Sequence, residues 1–169
     1  MYCTIAACAC KRYTAIVREM KYTVLALCAL IAAPAAAGTS GGYEQITGEA
    51  LKKVYFETLF IAEYQEFRDR TKTYNYTEFH DADGTTLYKE GSRVETGQWK
   101  MVGEDKICYK YPDSDTPNDV HCFFTYKNGK CYYQYHRTEM TLRGPRDFKI
   151  WNARGVRKGD GGACDAPVG

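Results

Sequence analysis

From Thr58 to Arg137 the chain runs as short segments rich in Tyr, Thr, Phe and Val, cut by turn residues. Trp99 and Met101 share one parity, as do Ile107, Tyr109 and Tyr111, so one face of each segment can be buried while the other stays wet. Asp83-Gly84, Val102-Gly103-Glu104-Asp105 and Asn128-Gly129 punctuate the pattern. It predicts strands over 58–66, 72–80, 85–89, 93–101, 106–111, 121–127 and 130–137. Tight turns between neighbours require antiparallel pairing, because parallel strands need long crossovers. The period changes over Ile46–Phe56, where Leu51, Val54 and Tyr55 share one helical face. Thr47 is placed to cap that helix, Glu49 lies in its first turn and Ile46 can staple to Leu51. The expected fold is mainly β: a small antiparallel meander sheet or partly closed β-barrel with one short N-terminal helix.

Both ends depart from this pattern. Residues 20–37 join a basic start (Met20-Lys21), ten apolar residues from Val24 to Ala33 and the small-residue end Pro34-Ala35-Ala36-Ala37. That arrangement predicts a secretory signal peptide over 1–37, with Met20 as an alternative start. Its apolar run is too short to span a hydrocarbon core of ~30 Å as a helix, and no comparable run follows, so an integral membrane protein is not expected. Residues 38–44 read as a flexible lead-in, and 45–169 as a single disulfide-stabilised β domain with a basic C-terminal tail. Arg143, Arg146, Lys149, Arg154, Arg157 and Lys158 of that tail face one acid, Asp147, and Phe148, Ile150 and Trp151 suggest a last strand or docked segment. Pro112–Val120 is acidic and reads as a surface loop.

An exported chain meets oxidising conditions, which changes the meaning of its cysteines. Four of the eight leave with the leader; Cys108, Cys122, Cys131 and Cys164 remain as two expected disulfides. A zinc site lacks its usual C-x2-C knuckles here. Asn128-Gly129 predicts a two-residue hairpin with Tyr126 facing Cys131, which puts Cys122 about 13 Å from that position and excludes Cys122–Cys131. Cys108–Cys122 with Cys131–Cys164 is preferred, closing loops of about 15 and 34 residues worth on the order of 3 and 4 kcal/mol. Cys108–Cys131 with Cys122–Cys164 stays open.

The chain of 169 residues is 44% hydrophobic and 14% aromatic, enough for one packed domain and against disorder. Its 23 Lys+Arg against 21 Asp+Glu become about 19 against 20 once residues 1–37 are removed, so a basic footprint for nucleic acid is absent.

His80, His121 and His136 lie on separate predicted strands without the spacing of a metal site. Asp81-Ala82-Asp83-Gly84 and the Asp113–Asp119 segment lack the distal Glu of a calcium loop, and turn chemistry explains them. Glu63, Glu66, Glu78, Glu90 and Glu95 could supply a carboxylate pair, but outward Glu is the ordinary expectation on half-solvated strands. Ser114 has no identifiable base. No catalytic residue, cofactor or metal is assigned. Tyrosines are the most suggestive feature: Tyr109, Tyr111, Tyr132, Tyr133 and Tyr135, with Tyr126 among them, crowd three consecutive strands as core or as a binding face.

The order Ile46-Thr47-Gly48-x-x-Leu51, Asp83-Gly84, Gly97-Gln98-Trp99, Ile107-Cys108-Tyr109 and Cys122-Phe123 before a turn resembles a family of uncharacterised exported alphaproteobacterial proteins, a domain of unknown function. The resemblance covers roughly 45–137. It implies a periplasmic or secreted all-β domain with the positions of Cys108 and Cys122 paired, and no activity. A looser likeness, of architecture alone, is to small β-barrel inhibitors of secreted metalloproteases. The function expected is an exported non-catalytic β domain acting as an interaction or inhibitor-type protein on an unknown protein or cell-envelope partner. The alternative is a lipocalin-like carrier of a small apolar ligand. A carrier needs an unfilled interior, whereas an interaction protein needs an exposed aromatic patch and no cavity.

Overall fold

A computed structural model describes residues 41–112, 119–162 and 164. Residues 1–37, where a signal peptide is expected, residues 38–40 of the lead-in, and 113–118 of the acidic loop with Ser114 lie outside the described residues. The elements are β1 (Glu44–Ile46), α1 (Gly48–Tyr55), β2 (Thr58–Arg68), β3 (Thr73–His80), β4 (Thr85–Glu90), β5 (Arg93–Val102) and β6 (Lys106–Lys110). They continue with β7 (His121–Asn128), β8 (Cys131–His136), a 3-10 turn at Arg137–Glu139, β9 (Met140–Thr141), β10 (Gly144–Pro145) and β11 (Ala153–Arg157).

Strands β2 to β8 form an antiparallel meander, each bonded to the next. The free edges of β2 and β8 then meet β11, which pairs antiparallel with both and closes an eight-stranded barrel. β1 extends the wall, taking Thr125–Lys127 of β7 where β6 has ended. The meander, its turns and its helix follow the pattern of the sequence; the closure comes from a strand that the pattern does not show. Its residues are Ala153–Arg157, just after the apolar Phe148, Ile150 and Trp151 read as a last strand or docked segment, of which Phe148 and Trp151 are docked against β7 and β8.

Cross-strand partners share a face. Phe60, Glu78, Tyr88 and Glu95 are successive partners and all are buried, while Ile61, Leu87 and Val94 of the other parity are about half exposed. The first set therefore lines the barrel interior. Helix α1 plugs one end: Leu51, Val54 and Tyr55 pack with Ile46, Phe60, Trp99, Ile107, Tyr109 and Tyr132. Thr47 sits at the cap position without a side-chain bond, and Gly48 N–H donates instead to the Glu104 carbonyl at 2.6 Å. Within the lead-in, Tyr43 meets the Tyr133 ring edge-on and the Phe148 ring at a tilt, and Glu44 pairs with Lys127.

Two disulfides form, Cys108–Cys122 across β6 and β7 and Cys131–Cys164 from β8 to the tail, with Cα separations of 4.0 and 5.0 Å. The β7–β8 hairpin is shifted from its expected register: Cys131 faces Asn128 and Tyr126 faces Tyr133. Gly129, at φ 58°, takes the first central position of the two-residue loop, where a type II′ turn places glycine. The Cys122–Cys131 pairing remains out of reach in this register.

On the outer surface, β11 is locked to β2 by Arg154, whose Nε donates to Glu63 Oε1 at 2.6 Å with both side chains about nine-tenths buried. The Trp151 ring covers the guanidinium at 4.7 Å. The basic tail thus contributes a buried ion pair to the barrel wall. Arg154→Ala leaves the Glu63 carboxylate buried without its guanidinium, and chemical denaturation should register a loss of about 3 kcal/mol or more. The double variant Glu63→Leu/Arg154→Met removes both charges and should recover most of it.

Candidate functional site

The plug fills only one end of the barrel. Above it a polar layer crosses the interior. The Tyr55 hydroxyl from α1 lies 2.9 Å from Thr125 Oγ1, and Gln134 Nε2 donates to it at 3.1 Å and to the Tyr109 hydroxyl at 3.4 Å. Tyr109 in turn lies 2.9 Å from His80 Nε2, and His80 Nδ1 lies 3.3 Å from the Thr58 carbonyl. A carbonyl only accepts, so Nδ1 carries the proton and Tyr109 donates to Nε2. Burial pushes His80 down to about 4, which keeps the ring neutral.

Beyond this layer the other half of the barrel encloses a cavity of about 400 Å³. Its walls carry Tyr64, Tyr76, Tyr88, Tyr109 and Tyr111, with Ala153 from β11 completing the apolar side. The rings form a continuous belt: Tyr64 stacks on Tyr76 at 4.5 Å, Tyr76 meets Tyr88 at 5.3 Å, Tyr88 meets Tyr111 at 5.6 Å and Tyr111 meets Tyr109 at 6.4 Å. Desolvation raises all five phenols above their ordinary value, so they remain protonated donors. The belt depends on Gly97 of β5, where a Cβ would stand 2.5 Å from the Tyr111 ring.

The cavity also holds carboxylates. Glu78 lies 6% exposed in its wall and accepts from Thr86 Oγ1 at 3.4 Å and from the Tyr111 hydroxyl. Burial pushes it up to about 7 against the hydrogen bonds of Tyr111 and Thr86. His80 Nε2 is 3.7 Å from Glu78 Oε2, yet between pH 4 and 7 neither group is mostly charged, so this contact is not an ion pair there. Nearer the open end Arg93 Nε donates to Glu95 Oε1 at 2.6 Å, and Arg68 Nε lies 3.7 Å from Glu90 Oε1.

The structure divides the five candidate tyrosines. Tyr109 and Tyr111 line the cavity, Tyr132 points inward at the plugged end, and Tyr133 and Tyr135 lie on the outer side of β8. Those last two are buried under Tyr43, Phe148 and Trp151, with the Tyr135 hydroxyl donating to the Phe148 carbonyl at 2.8 Å. Among the described residues they do not make one exposed face. The histidines are dispersed as well: His80 in the core, His121 on the cavity wall and His136 beside Thr138 of the 3-10 turn. Among the described residues no group of three or more His, Cys, Asp or Glu is gathered to hold a metal ion. Asp83 serves its turn, accepting from Thr85 N–H at 2.7 Å.

The outward reading of the strand glutamates fails for Glu78, Glu90 and Glu95, which are inward and buried, and for Glu63, which is buried on the outer face by Arg154. A signal for one was present: Glu95 shares its parity with Trp99, already assigned to the buried face.

Glu78 makes stability fall with rising pH. The native state holds its proton more tightly than the unfolded chain, so its favourable contribution is whole below about pH 4.5 and is lost as pH rises through 7. His80 works in the opposite sense, contributing above about 6.5 and losing that contribution as pH falls through 4. Glu78→Gln removes only the first effect. Its unfolding free energy relative to wild type should therefore rise between pH 5 and 8.5, by up to about 3 kcal/mol in denaturant titrations.

No family model, no curated protein and no solved structure matches this chain.

Proposed function

We propose that the protein is a non-catalytic carrier or scavenger of a small molecule, held inside the barrel and reached through the end opposite α1. The observation that carries this reading is the cavity of about 400 Å³, within the range of small-ligand pockets. A barrel closed by hydrogen bonds and disulfides suits such a container, since its walls are set before the ligand arrives. The interaction-protein reading called for an exposed tyrosine face, and the five tyrosines point inward or lie under the tail. The lining differs from that expected of an apolar-ligand carrier, because phenol rings and carboxylates replace aliphatic side chains.

The disulfides suit an oxidising, extracellular-type compartment, and no helix among the described residues is long and apolar enough to cross a membrane. With the leader-like residues 20–37, this supports a periplasmic or secreted location.

The test is a native mass spectrum of the protein recovered from its own host's exported fraction. The expected result is an added mass on the order of a few hundred daltons, the scale such a cavity holds. Ala153→Leu, which projects into the cavity, should abolish the adduct with a thermal midpoint within a few degrees of wild type. A bare chain, or an adduct that survives Ala153→Leu, would defeat the reading.

A further inference from the structure

Resting on the carrier reading, we propose that the cavity selects a small aryl-alkyl amine in its ammonium form. The nitrogen would sit on Glu78 Oε2 and the aromatic body among the tyrosine rings.

The argument starts from the unequal use of the Glu78 oxygens. Thr86 and Tyr111 both donate to Oε1, and among the described residues no hydrogen bond reaches Oε2. The basic side chain within 4 Å of that carboxylate is His80. Its Nε2 accepts from Tyr109, so it has no proton to give to Oε2. A carboxylate oxygen thus faces the interior with its hydrogen-bonding capacity unspent. Among the described residues the buried polar atoms left without a partner are Thr71 Oγ1, Glu90 Oε1 and Arg157 Nε, so Glu78 Oε2 is not sealed in the wall but open to the cavity, where a ligand's donor can reach it.

The surroundings decide what completes it. Cavity-lining Glu66, Glu78, Glu95 and Glu139 outnumber Arg68 and Arg93, and those two guanidiniums lie against Glu90 and Glu95. An anion would meet excess negative charge, and a neutral apolar molecule would leave Oε2 dry and unbonded. An ammonium supplies both the charge and the hydrogens. Phenol rings favour the same choice, since their faces attract cations within about 6 Å of the ring centre. Their hydroxyls are mostly committed: Tyr64 to Tyr88 at 3.0 Å, Tyr109 to His80, and Tyr111 to Glu78. The cavity therefore offers ring surface for a flat apolar body and one open oxygen for its charged end.

The groups facing Glu78 are Tyr76 and His80 on its own strand, Tyr64 from β2, Tyr109 and Tyr111 from β6, and Tyr55 from α1. Tyr88 and Glu90 stand on β4, and the Arg93–Glu95 pair on β5. His80, pushed down to about 4, and the phenols, pushed up, keep one form from pH 5.5 to 8. Glu78, at about 7, does not, and an ammonium binds its ionised form.

The experiment is isothermal titration of the mature protein, both disulfides intact, with phenethylamine, 3-phenylpropan-1-ol and 3-phenylpropionate at pH 8. The amine should bind at least tenfold more tightly than the alcohol, and the acid more weakly than either. Amine affinity should fall about tenfold per pH unit below 7 while alcohol affinity stays level. Glu78→Gln should bring the amine-to-alcohol preference within about threefold. Alcohol binding equal to or tighter than the amine would overturn the amine assignment and leave the cavity as a ligand site. Failure of all three probes would overturn both. Preference for the acid, or a pH-independent amine affinity, would overturn the assignment of Glu78.

Discussion

Everything inside this molecule depends on how β11 joins the ends of the meander. Seven strands in series leave β2 and β8 as two open edges, each a row of unpaired backbone groups. β11 satisfies both, pairing Ala153–Arg157 with Phe60–Tyr64 and Ala153–Gly155 with Tyr132–Gln134. The fit requires Gly155, where a Cβ would approach Ala62 Cβ to 2.7 Å and the Ile61 carbonyl to 2.8 Å. Arg154 on Glu63 secures one side of the insertion, and Cys131–Cys164 ties the chain beyond it to the start of β8. Without that closure there would be a curled sheet with a wet concave face and no cavity.

A closed barrel of eight strands can be filled by its own side chains. Here one half is, and the divide is chemical. On the α1 side, Leu51, Val54, Ile107 and Trp99 pack without polar atoms needing partners, apart from the indole N–H, which reaches the Asp81 carbonyl at 2.9 Å. Then comes the chain from Thr125 through Tyr55, Gln134, Tyr109 and His80 to the Thr58 carbonyl, in which each buried group finds another. Such a layer holds the rotamers of Tyr109 and Tyr55, and so forms a fixed floor for the space above. Tyrosine suits both levels, since its ring makes wall area while its hydroxyl joins the network.

Much of this fold was legible because period two is strong wherever one face of a strand is buried. The seven meander strands, the short helix and the preferred cysteine pairs all appear at or near their expected positions. The misses have physical causes. β11 holds Arg154, Gly155 and Arg157 and little apolar content, because an ion pair and a close backbone approach, not a hydrophobic stripe, seat it. The apolar Phe148 and Trp151 instead cover the outside of β7 and β8. The hairpin register slipped because Asn128-Gly129 suggests a loop one residue earlier than Gly129-Lys130, and either choice keeps an alternating pattern. Of the two readings of the tyrosines, core or binding face, their burial fits the first, and parity separates Tyr132 from its neighbours Tyr133 and Tyr135, placing them on opposite sides of one wall.

The glutamates were the hardest to read, and the proposed ligand site rests on one of them. Carboxylates on alternating strands ordinarily face water, and only barrel closure turns this face inward. Packing alone does not explain Glu78. A glutamine there could accept the same bonds from Thr86 and Tyr111 through its carbonyl oxygen, with no ion to desolvate as pH rises through neutrality. What a glutamine lacks is the second anionic oxygen, the one directed at the interior. Glu63 makes the contrast within the same sheet: its buried carboxylate is matched by the Arg154 guanidinium, 2.6 Å away across one register position. One buried carboxylate therefore comes with a cation supplied by the fold, and the other is left facing a cavity large enough to admit one.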